Sequence, residues 1–266
     1  MSVCIAGATG WAGRALVDGV LEADDMVLRS AVARSAAGMD LGTALGWDEL
    51  DVPVYAFVGD ALDSVDVLID YTSHVAVKAN TLAAIGRGVA VVIGASGLTA
   101  DDYAEIDTAA RRRDVGVISS GNFSLTAAMA QAAAMLVARH LPNAEIIDYA
   151  SAEKPDAPSG TSRELAERLA HVRPPILGRP LDEIDGLPEA RGATVAGVPV
   201  HSIRLPSFSV STEVIFGLPD ERLTIRHDAG GSATPYVSGT LLAVRLVQGR
   251  NGLTRGLDTL LFESRD

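Results

Sequence analysis

Three glycines near the start of the chain constrain its fold more than any other feature. The segment Gly7-Ala-Thr-Gly-Trp-Ala-Gly13 follows the apolar run 2–6, which is typical of a buried strand, and precedes a segment with helical spacing. A glycine turn between a strand and a helix brings the backbone close to a pyrophosphate, which the helix N-terminus attracts with its free amides. The spacing is the G-x-x-G-x-x-G variant, so a tight turn without a ligand is the alternative interpretation.

The segments after this turn alternate between two hydrophobic periods. Apolar runs typical of strands lie at 27–34, 65–70, 89–93 and 115–119, and helical spacing lies at 11–23, 76–87 and 101–113. Strands that alternate with helices over about 120 residues predict a Rossmann-type α/β domain with a doubly wound parallel sheet.

A different pattern begins near residue 125. A long helical segment, 125–139, precedes a short strand and a second helix at 162–171, and β-branched residues recur between turn residues from 193 to 226. This half is predicted to form a second, α+β domain with an antiparallel or mixed sheet. A last helix is expected at 236–248, followed by a tail.

Composition excludes several classes of function. The net charge of −12 argues against nucleic-acid and membrane binding, although a small anionic ligand needs only a local positive site. No apolar run is long enough for a membrane span, and no signal peptide is expected. Cys4 is the only cysteine, so a reducing, cytoplasmic location is expected, with Cys4 as a buried strand residue. No metal site is expected.

The end of the second predicted strand bears on cofactor choice. A site selective for NAD would place an acid there to hold the ribose hydroxyls, but the strand ends Ala31-Val-Ala-Arg34. Arg34 can meet a 2′-phosphate instead, which favours NADP(H). A solvated Arg34 without a ligand is the alternative.

Three more strand ends share this edge of the predicted sheet, namely 70–72, 94–96 and 120–123. Ligands of such sheets bind beyond the carboxyl ends of the strands, although each segment could also be ordinary turn chemistry. The predicted nucleotide-binding residues are Gly7, Thr9, Gly10, Trp11, Ala12, Gly13, Arg34, Thr72, Gly94, Ala95, Ser96, Gly121, Asn122 and Phe123.

The run Glu153-Lys-Pro-Asp-Ala-Pro-Ser-Gly-Thr161 carries the candidate chemistry of the second half. Lys154 can donate a proton or clamp a carboxylate. Ser159, Gly160 and Thr161 lead into a helix whose N-terminus suits a substrate carboxylate. Thr161 and Glu164 have the spacing of a capping box, which we expect to begin this helix.

Taken together, these segments resemble the dihydrodipicolinate reductase family over essentially the whole length. The most specific is Lys154-Pro-Asp-Ala-Pro-Ser-Gly-Thr161, since the family carries Lys-x-Asp-Ala-Pro-Ser-Gly-Thr. The other matching segments are the glycine turn, 67–72, 92–97, 121–124 and 223–229.

The resemblance implies both architecture and activity. It implies a dinucleotide-binding domain at 1–124, a substrate-binding domain at 125–231 whose sheet mediates a homotetramer, and a C-terminal helix at 232–266 that returns to the first domain. It implies hydride transfer from NAD(P)H to a cyclic unsaturated imine dicarboxylate in lysine (diaminopimelate) biosynthesis. By the same resemblance, Lys154 is the catalytic lysine, and Gly160 and Thr161 bind the substrate carboxylate.

Two departures from the family pattern leave the substrate open. Ala150 and Ser151 stand where the family has histidines, and 229–233 lacks the family's arginine. His201, Arg204 and His227 could compensate or be structural. Glu153 could exchange protons with Lys154 or be a surface charge. The alternatives are a reductase of the same fold acting on another, possibly monocarboxylate, imine or amino-acid substrate, and a non-catalytic nucleotide sensor.

Overall fold

The structure is a computed structural model that describes residues 1–208 and 210–262. The chain divides into two compact units. The first unit is Met1–Leu125 together with the chain from Ala233 on, and the second is Thr126–Ser232. The second unit is therefore a continuous insertion in the first.

The strands and helices of the described residues are numbered in chain order. The strands are β1 Ser2–Ala6, β2 Val27–Val32, β3 Val54–Tyr55, β4 Val67–Asp70, β5 Ala90–Ile93, β6 Gly116–Ser119, β7 Asn143–Ala150, β8 Ala193–Val195, β9 Val198–Arg204, β10 Val210–Leu218, β11 Glu221–Ala229 and β12 Gly252–Arg255. The α-helices are α1 Trp11–Leu21, α2 Leu41–Leu45, α3 Val58–Ala61, α4 Val77–Gly86, α5 Ala100–Arg113, α6 Leu125–Ala138, α7 Gly160–Val172, α8 Pro235–Val247 and α9 Leu257–Phe262.

The first unit is built on a parallel sheet with the order β12-β6-β5-β4-β1-β2-β3. Strand β1 pairs with β2 on one side and with β4 on the other, so the winding direction reverses between β1 and β4. Dinucleotides bind at the carboxyl ends of the strands beside such a reversal. The predicted doubly wound Rossmann-type sheet is confirmed.

Three of the interior strands of this sheet are buried along their whole length. Every residue of β4, β5 and β6 is buried, because helices cover both faces of a parallel sheet. Cys4 in β1 is fully buried as predicted, and burial raises the pKa of its thiol to about 12. The pattern of near-continuous apolar runs in the sequence follows from this double coverage.

Strand β12, like the two-residue strand β3, is not predicted by the sequence pattern. It pairs with β6, with Gly252 opposite Gly116 and Arg255 opposite Ser119. Its sequence, Gly-Leu-Thr-Arg, lacks the apolar run of an interior strand because β12 lies at the edge of the sheet and is half-buried beyond Gly252.

The second unit contains a five-stranded sheet with the order β11-β10-β7-β9-β8. Strands β7 and β9 are parallel, and the other neighbours are antiparallel. Helices α6 and α7 pack against one face of this sheet. Their shared core contains Ala134, Ile146, Leu165, Leu169, Val200, Val214 and Phe216. The predicted α+β unit with a mixed sheet is confirmed.

None of the helices among the described residues is long and apolar enough to cross a membrane.

Candidate active site

The glycine turn lies at the reversal point of the first sheet. Gly7 follows β1 with φ of +83°, and the amide of Gly10 donates to the carbonyl of Gly7 at 2.9 Å. A Cβ on Gly13 would lie 2.0 Å from the Gly7 oxygen, and one on Gly7 would lie 2.6 Å from the Tyr71 oxygen. Both glycines are therefore required by the close packing of the turn, whether or not a ligand is bound.

The start of α1 is suited to an anion. Gly10 is its N-cap residue, no side chain of the described residues caps it, and its first turn has no acidic residue. The first amides of a helix have no partner within the helix and carry the positive end of its dipole. Thr9 and Ala12 lie half-buried in this turn, and Trp11 is 56% exposed at its surface.

A buried carboxylate holds the next candidate residue. Asp70 ends β4 and is inaccessible to solvent. It accepts hydrogen bonds from the amide of Thr72 at 2.8 Å, from the hydroxyl of Thr72 at 2.6 Å and from Asn80 Nδ2 at 2.9 Å. Burial raises the pKa of Asp70, while the hydrogen bonds from Thr72 and Asn80 oppose that rise. Asp70 thus fixes Thr72 beside the glycine turn.

Packing explains two other predicted residues. A Cβ on Gly94 would lie 2.1 Å from Cζ of Tyr71, whose hydroxyl is 2.8 Å from Thr240 Oγ1. Phe123 is 1% exposed, and its ring centroid is 6.2 Å from that of Tyr71. Gly94 therefore makes room for Tyr71, and the Phe123 side chain belongs to the core.

Asn122 supplies the observation that best fits a ligand at this edge. It is 5% exposed, and its Oδ1 accepts a hydrogen bond from the amide of Ser124 at 2.8 Å. Its Nδ2 is buried and has no hydrogen-bond partner among the described residues. A buried donor without a partner costs about 1–3 kcal/mol. An acceptor oxygen of a nucleotide bound beyond β6 would remove that cost.

The remaining candidates lie at the same carboxyl edge. Ala95 is buried, whereas Ser96 and Gly121 are exposed. Arg34 is exposed two residues beyond Val32, which pairs with Tyr55 of β3.

The pairing of β2 with β3 also places an aromatic side chain, Phe57, at this edge of the sheet, and no sequence pattern identifies it. Phe57 is two residues beyond Tyr55 and 68% exposed. No hydrophobic periodicity in the sequence marks an exposed aromatic residue at a strand end. Only the strand pairing shows that Phe57 and Arg34 follow neighbouring strands.

In the second unit, Lys154 lies in the loop between β7 and α7. Its ammonium is 2.5 Å from Asp156 Oδ1, and the two side chains are 27% and 29% exposed. Glu153 is exposed. Asp156, rather than the neighbouring Glu153, is thus the carboxylate partner of the lysine in this structure.

One buried aspartate anchors the end of this loop. Asp148 of β7 is inaccessible to solvent and accepts hydrogen bonds from the amide of Ser159 at 2.9 Å and its hydroxyl at 2.6 Å. It also accepts a hydrogen bond from Ser162 Oγ at 3.0 Å and pairs with Arg204 at 2.7 Å. Arg204 in turn donates to the carbonyl of Asp156 at 2.7 Å. The loop is therefore tied to β7 and β9.

The cap of α7 corrects one prediction. Helix α7 begins at Gly160, and its N-cap is Ser159, whose hydroxyl accepts a hydrogen bond from the amide of Ser162. Thr161 and Glu164 lie inside the helix, so the predicted capping box at these two residues is wrong. The N-cap requires an extended backbone, which Ser159 has because its amide is bonded to Asp148.

The three predicted carboxylate-binding residues differ in their exposure. Ser159 is 2% exposed, and its hydroxyl is engaged by Asp148 and by the helix start. Gly160 is half-buried and Thr161 is 8% exposed. Thr161 lines a narrow cavity inside the second unit together with Ala127, Ala130, Gln131, Leu165, Thr212, Val214, Ile225 and His227.

The residues that could compensate for the missing histidines have different surroundings. The Nε2 atom of His201 is 2.8 Å from Oε2 of Glu145, and Glu145 also pairs with Arg191. Arg204 pairs with Asp148. His227 lies in the cavity, 3.0 Å from Thr126 Oγ1, and burial lowers its pKa. Of the three, His227 is the one that faces the same cavity as Thr161.

Comparison with known proteins identifies the family. The family model described as dihydrodipicolinate reductase, N-terminus, matches residues 1–123, and the one described as dihydrodipicolinate reductase, C-terminus, matches residues 122–261. The chain belongs to the dihydrodipicolinate reductase family. This membership confirms the resemblance seen in Lys154–Thr161, and it makes the chain one of a family of pyridine-nucleotide-dependent oxidoreductases.

Individual members are similar over nearly the whole chain. The 4-hydroxy-tetrahydrodipicolinate reductase of Moorella thermoacetica is 37% identical over 262 residues, which cover 97% of each chain. The dipicolinate-bound dihydrodipicolinate reductase of Paenisporosarcina sp. TG-14 has a TM-score of 0.77 and 29% identity, covering 98% of this chain and 99% of that one. An amine dehydrogenase of Mycobacterium smegmatis, with a TM-score of 0.64, 15% identity and coverage of 97% and 94%, shares the fold alone.

Proposed function

We propose that the chain is an NADPH-dependent reductase of 4-hydroxy-tetrahydrodipicolinate. The observation that carries this proposal is the loop from Lys154 to Thr161, which has the family's most specific run and is tied to Asp148 and Arg204. One short segment thereby offers an ammonium group and the first amides of α7. These are the groups that a carboxylate substrate in need of a proton requires.

The proposed roles divide between the two units. When bound, the nicotinamide supplies the hydride. Lys154 donates or positions the proton, with Asp156 as its carboxylate partner. The start of α7, at Gly160 and Thr161, holds the carboxylate, while Ser159 shapes that start as its cap. In the first unit, the glycine turn and the uncapped start of α1 hold the pyrophosphate, and Asn122 offers its unpaired amide to the ligand.

The proposal is tested by following NADPH oxidation at 340 nm with enzymatically generated 4-hydroxy-tetrahydrodipicolinate. Turnover of about 1 per second or more is expected, as for ordinary enzymes. NADPH binding without turnover of this substrate would overturn the substrate assignment and leave the nucleotide site standing.

A second candidate is a reductase of the same fold that acts on a monocarboxylate imine. It is favoured by Ala150, Ser151 and the arginine-free segment 229–233, because each missing charge-assisted hydrogen bond costs about 1.5–3 kcal/mol for a dicarboxylate. Higher kcat/KM for a cyclic monocarboxylate imine than for the dicarboxylate would establish this alternative.

Arg34 is proposed to select NADPH by binding the 2′-phosphate. Arg34→Ala should raise the Kd for NADPH by about 10-fold or more, because the variant lacks a charge-assisted hydrogen bond, and leave the Kd for NADH within about twofold. Nucleotide fluorescence titrations measure both constants. Arg29→Ala, an exposed arginine within β2, is the matched control. An equal decrease in affinity for both nucleotides would contradict this role.

We also propose a homotetramer formed through the five-stranded sheet. Helices α6 and α7 cover one face of this sheet, and Ile147 and Ile215, which alternate with its core residues, lie half-buried on the other. The same face carries charged pairs such as Glu213 with Arg226, so a second copy would pack there through both apolar contacts and ion pairs. Light scattering coupled to gel filtration measures the mass, and a monomer would contradict the proposal.

A further inference from the structure

The amide of Gln131 has a fixed orientation inside the second unit. Gln131 lies on α6 and is 4% exposed. Arg168 Nη1 of α7 is 3.3 Å from its Oε1. Because a guanidinium only donates hydrogen bonds, the atom of the amide that faces Arg168 must be the oxygen. The amide nitrogen therefore points away from Arg168.

That nitrogen is buried and has no hydrogen-bond partner among the described residues. Gln131 lines the cavity that also contains Thr161, the residue at the family's carboxylate-binding position. The cavity has a volume of about 20 Å³, room for about one water-sized group. A single acceptor oxygen placed in this cavity would satisfy the hydrogen-bonding capacity of the buried donor.

The walls of the cavity define the chemistry of that oxygen. Besides Gln131 and Thr161, its polar residues are Thr212 and His227, and the others are apolar. Burial lowers the pKa of His227, so its ring is neutral at neutral pH. The cavity is therefore lined by uncharged groups in an apolar surround, and its small volume suits an oxygen atom but not a bulky polar group.

We propose that Gln131 Nε2 donates a hydrogen bond to one oxygen of the substrate carboxylate held at the start of α7. Gln131 is then a specificity-determining residue. Ala150, Ser151 and the segment 229–233 offer the carboxylate no charged donor, and the Gln131 amide supplies a neutral one. This inference rests on the proposed function and deepens it, since it adds a neutral donor to the proposed carboxylate site.

Two variants of Gln131 separate its donor from its acceptor. Gln131→Met removes the amide while keeping an unbranched, helix-favouring side chain. Gln131→Glu keeps an oxygen toward Arg168 and removes the donor. Gln248→Met, the same change at an exposed residue of the first unit, is the matched control. The probe is dipicolinate, and its Kd is measured by calorimetry with NADPH present.

Both Gln131 variants should raise the Kd for dipicolinate by about 10-fold, the effect of one charge-assisted hydrogen bond, with the Kd for NADPH unchanged. The ligand-free Gln131→Met protein should have a Tm close to that of the wild type, because removal of the unpaired buried donor offsets the loss of the hydrogen bond from Arg168. A purely structural amide would give a clear decrease in Tm.

Three results would overturn the proposal. If both variants bind dipicolinate with the wild-type Kd, Gln131 does not touch the ligand. If Gln131→Met lowers the Tm while Gln131→Glu keeps the wild-type Kd, the amide is structural. If the wild-type protein itself binds no dipicolinate, the proposed function fails, and this inference fails with it.

Discussion

Lys154→Ala is expected to lower kcat for 4-hydroxy-tetrahydrodipicolinate by about 10²–10⁴-fold, the usual contribution of a positioned proton donor. The Kd for NADPH should stay at its wild-type value, because the proposed nucleotide-binding residues belong to the first unit. Alanine cannot donate a proton or bind a carboxylate. Steady-state rates at 340 nm and a fluorescence titration of NADPH measure the two quantities separately.

The composition of the chain strengthens this expectation. Of its 22 lysine and arginine residues, only Lys78 and Lys154 are lysines. Lys78 pairs with Asp102 and Glu105 on the first unit, at 2.8 and 2.7 Å. A lysine can release its proton, whereas arginine stays charged, so Lys154 is the one lysine or arginine in the second unit's sequence that is suited to proton transfer.

Two further variants show what causes the decrease in kcat of Lys154→Ala. Lys154→Arg keeps the positive charge, so retained activity would assign Lys154 as a carboxylate clamp and abolished activity would assign it as the proton donor. Lys78→Ala is the control, since it removes the other lysine. Wild-type kcat in Lys154→Ala would show that the proton comes from elsewhere.

Asp148→Asn should lower the free energy of unfolding of the second unit by about 3–5 kcal/mol, the range for breaking a buried ion pair. The substitution preserves shape but leaves Arg204, whose side chain is 17% exposed, without its counter-charge. It also weakens the bonds to Ser159 that hold the cap of α7. Urea unfolding followed by circular dichroism measures the change.

The pH dependence of stability provides a second readout. Burial alone would raise the pKa of Asp148, but the hydrogen bonds from Ser159 and Arg204 outweigh it and hold the pKa below its usual value. Asp148 therefore contributes stability that is fully present above the unfolded pKa of about 3.9 and disappears as the pH falls through the lower folded pKa. The Asn variant should lack this component of the acid transition.

Asp25→Asn is the control for this experiment. Asp25 pairs with Arg245 through two hydrogen bonds, but both side chains are exposed. Exposed pairs contribute little because water screens them, so the change should be much smaller than for Asp148. Equal effects of the two substitutions would contradict the anchoring role of Asp148.

Much of the fold follows from local sequence patterns. Continuous apolar runs predict β4, β5 and β6, because strands covered on both faces need apolar side chains at nearly every position. Strand β12 carries no such mark because an edge strand needs no apolar run. Its pairing with β6 joins distant parts of the chain, which no local period records.

The candidate site is predictable where a motif is contiguous. Lys154 and the start of α7 follow from one run of residues. The anchoring role of Asp148 and Arg204 does not, because their partners lie on different strands and burial decides their effect. The spacing of Thr161 to Glu164 fits a capping box, but the bond between Asp148 and Ser159 starts the helix earlier.

Gln131 illustrates the same limit. In the sequence it is one polar residue in an alanine-rich helix, and nothing local distinguishes it from a solvated position. Its importance depends on Arg168 of α7 and on the cavity beside it, which exist only after the helices have packed.

The interrupted first unit has a consequence for how the chain folds during synthesis. Residues 126–232 form one continuous segment and can fold as soon as they leave the ribosome. The first unit needs α8, which packs so closely that a Cβ on Gly239 would lie 2.0 Å from the Phe123 oxygen, and β12, which covers the edge of β6. The first unit, although most of it is translated first, is therefore completed last.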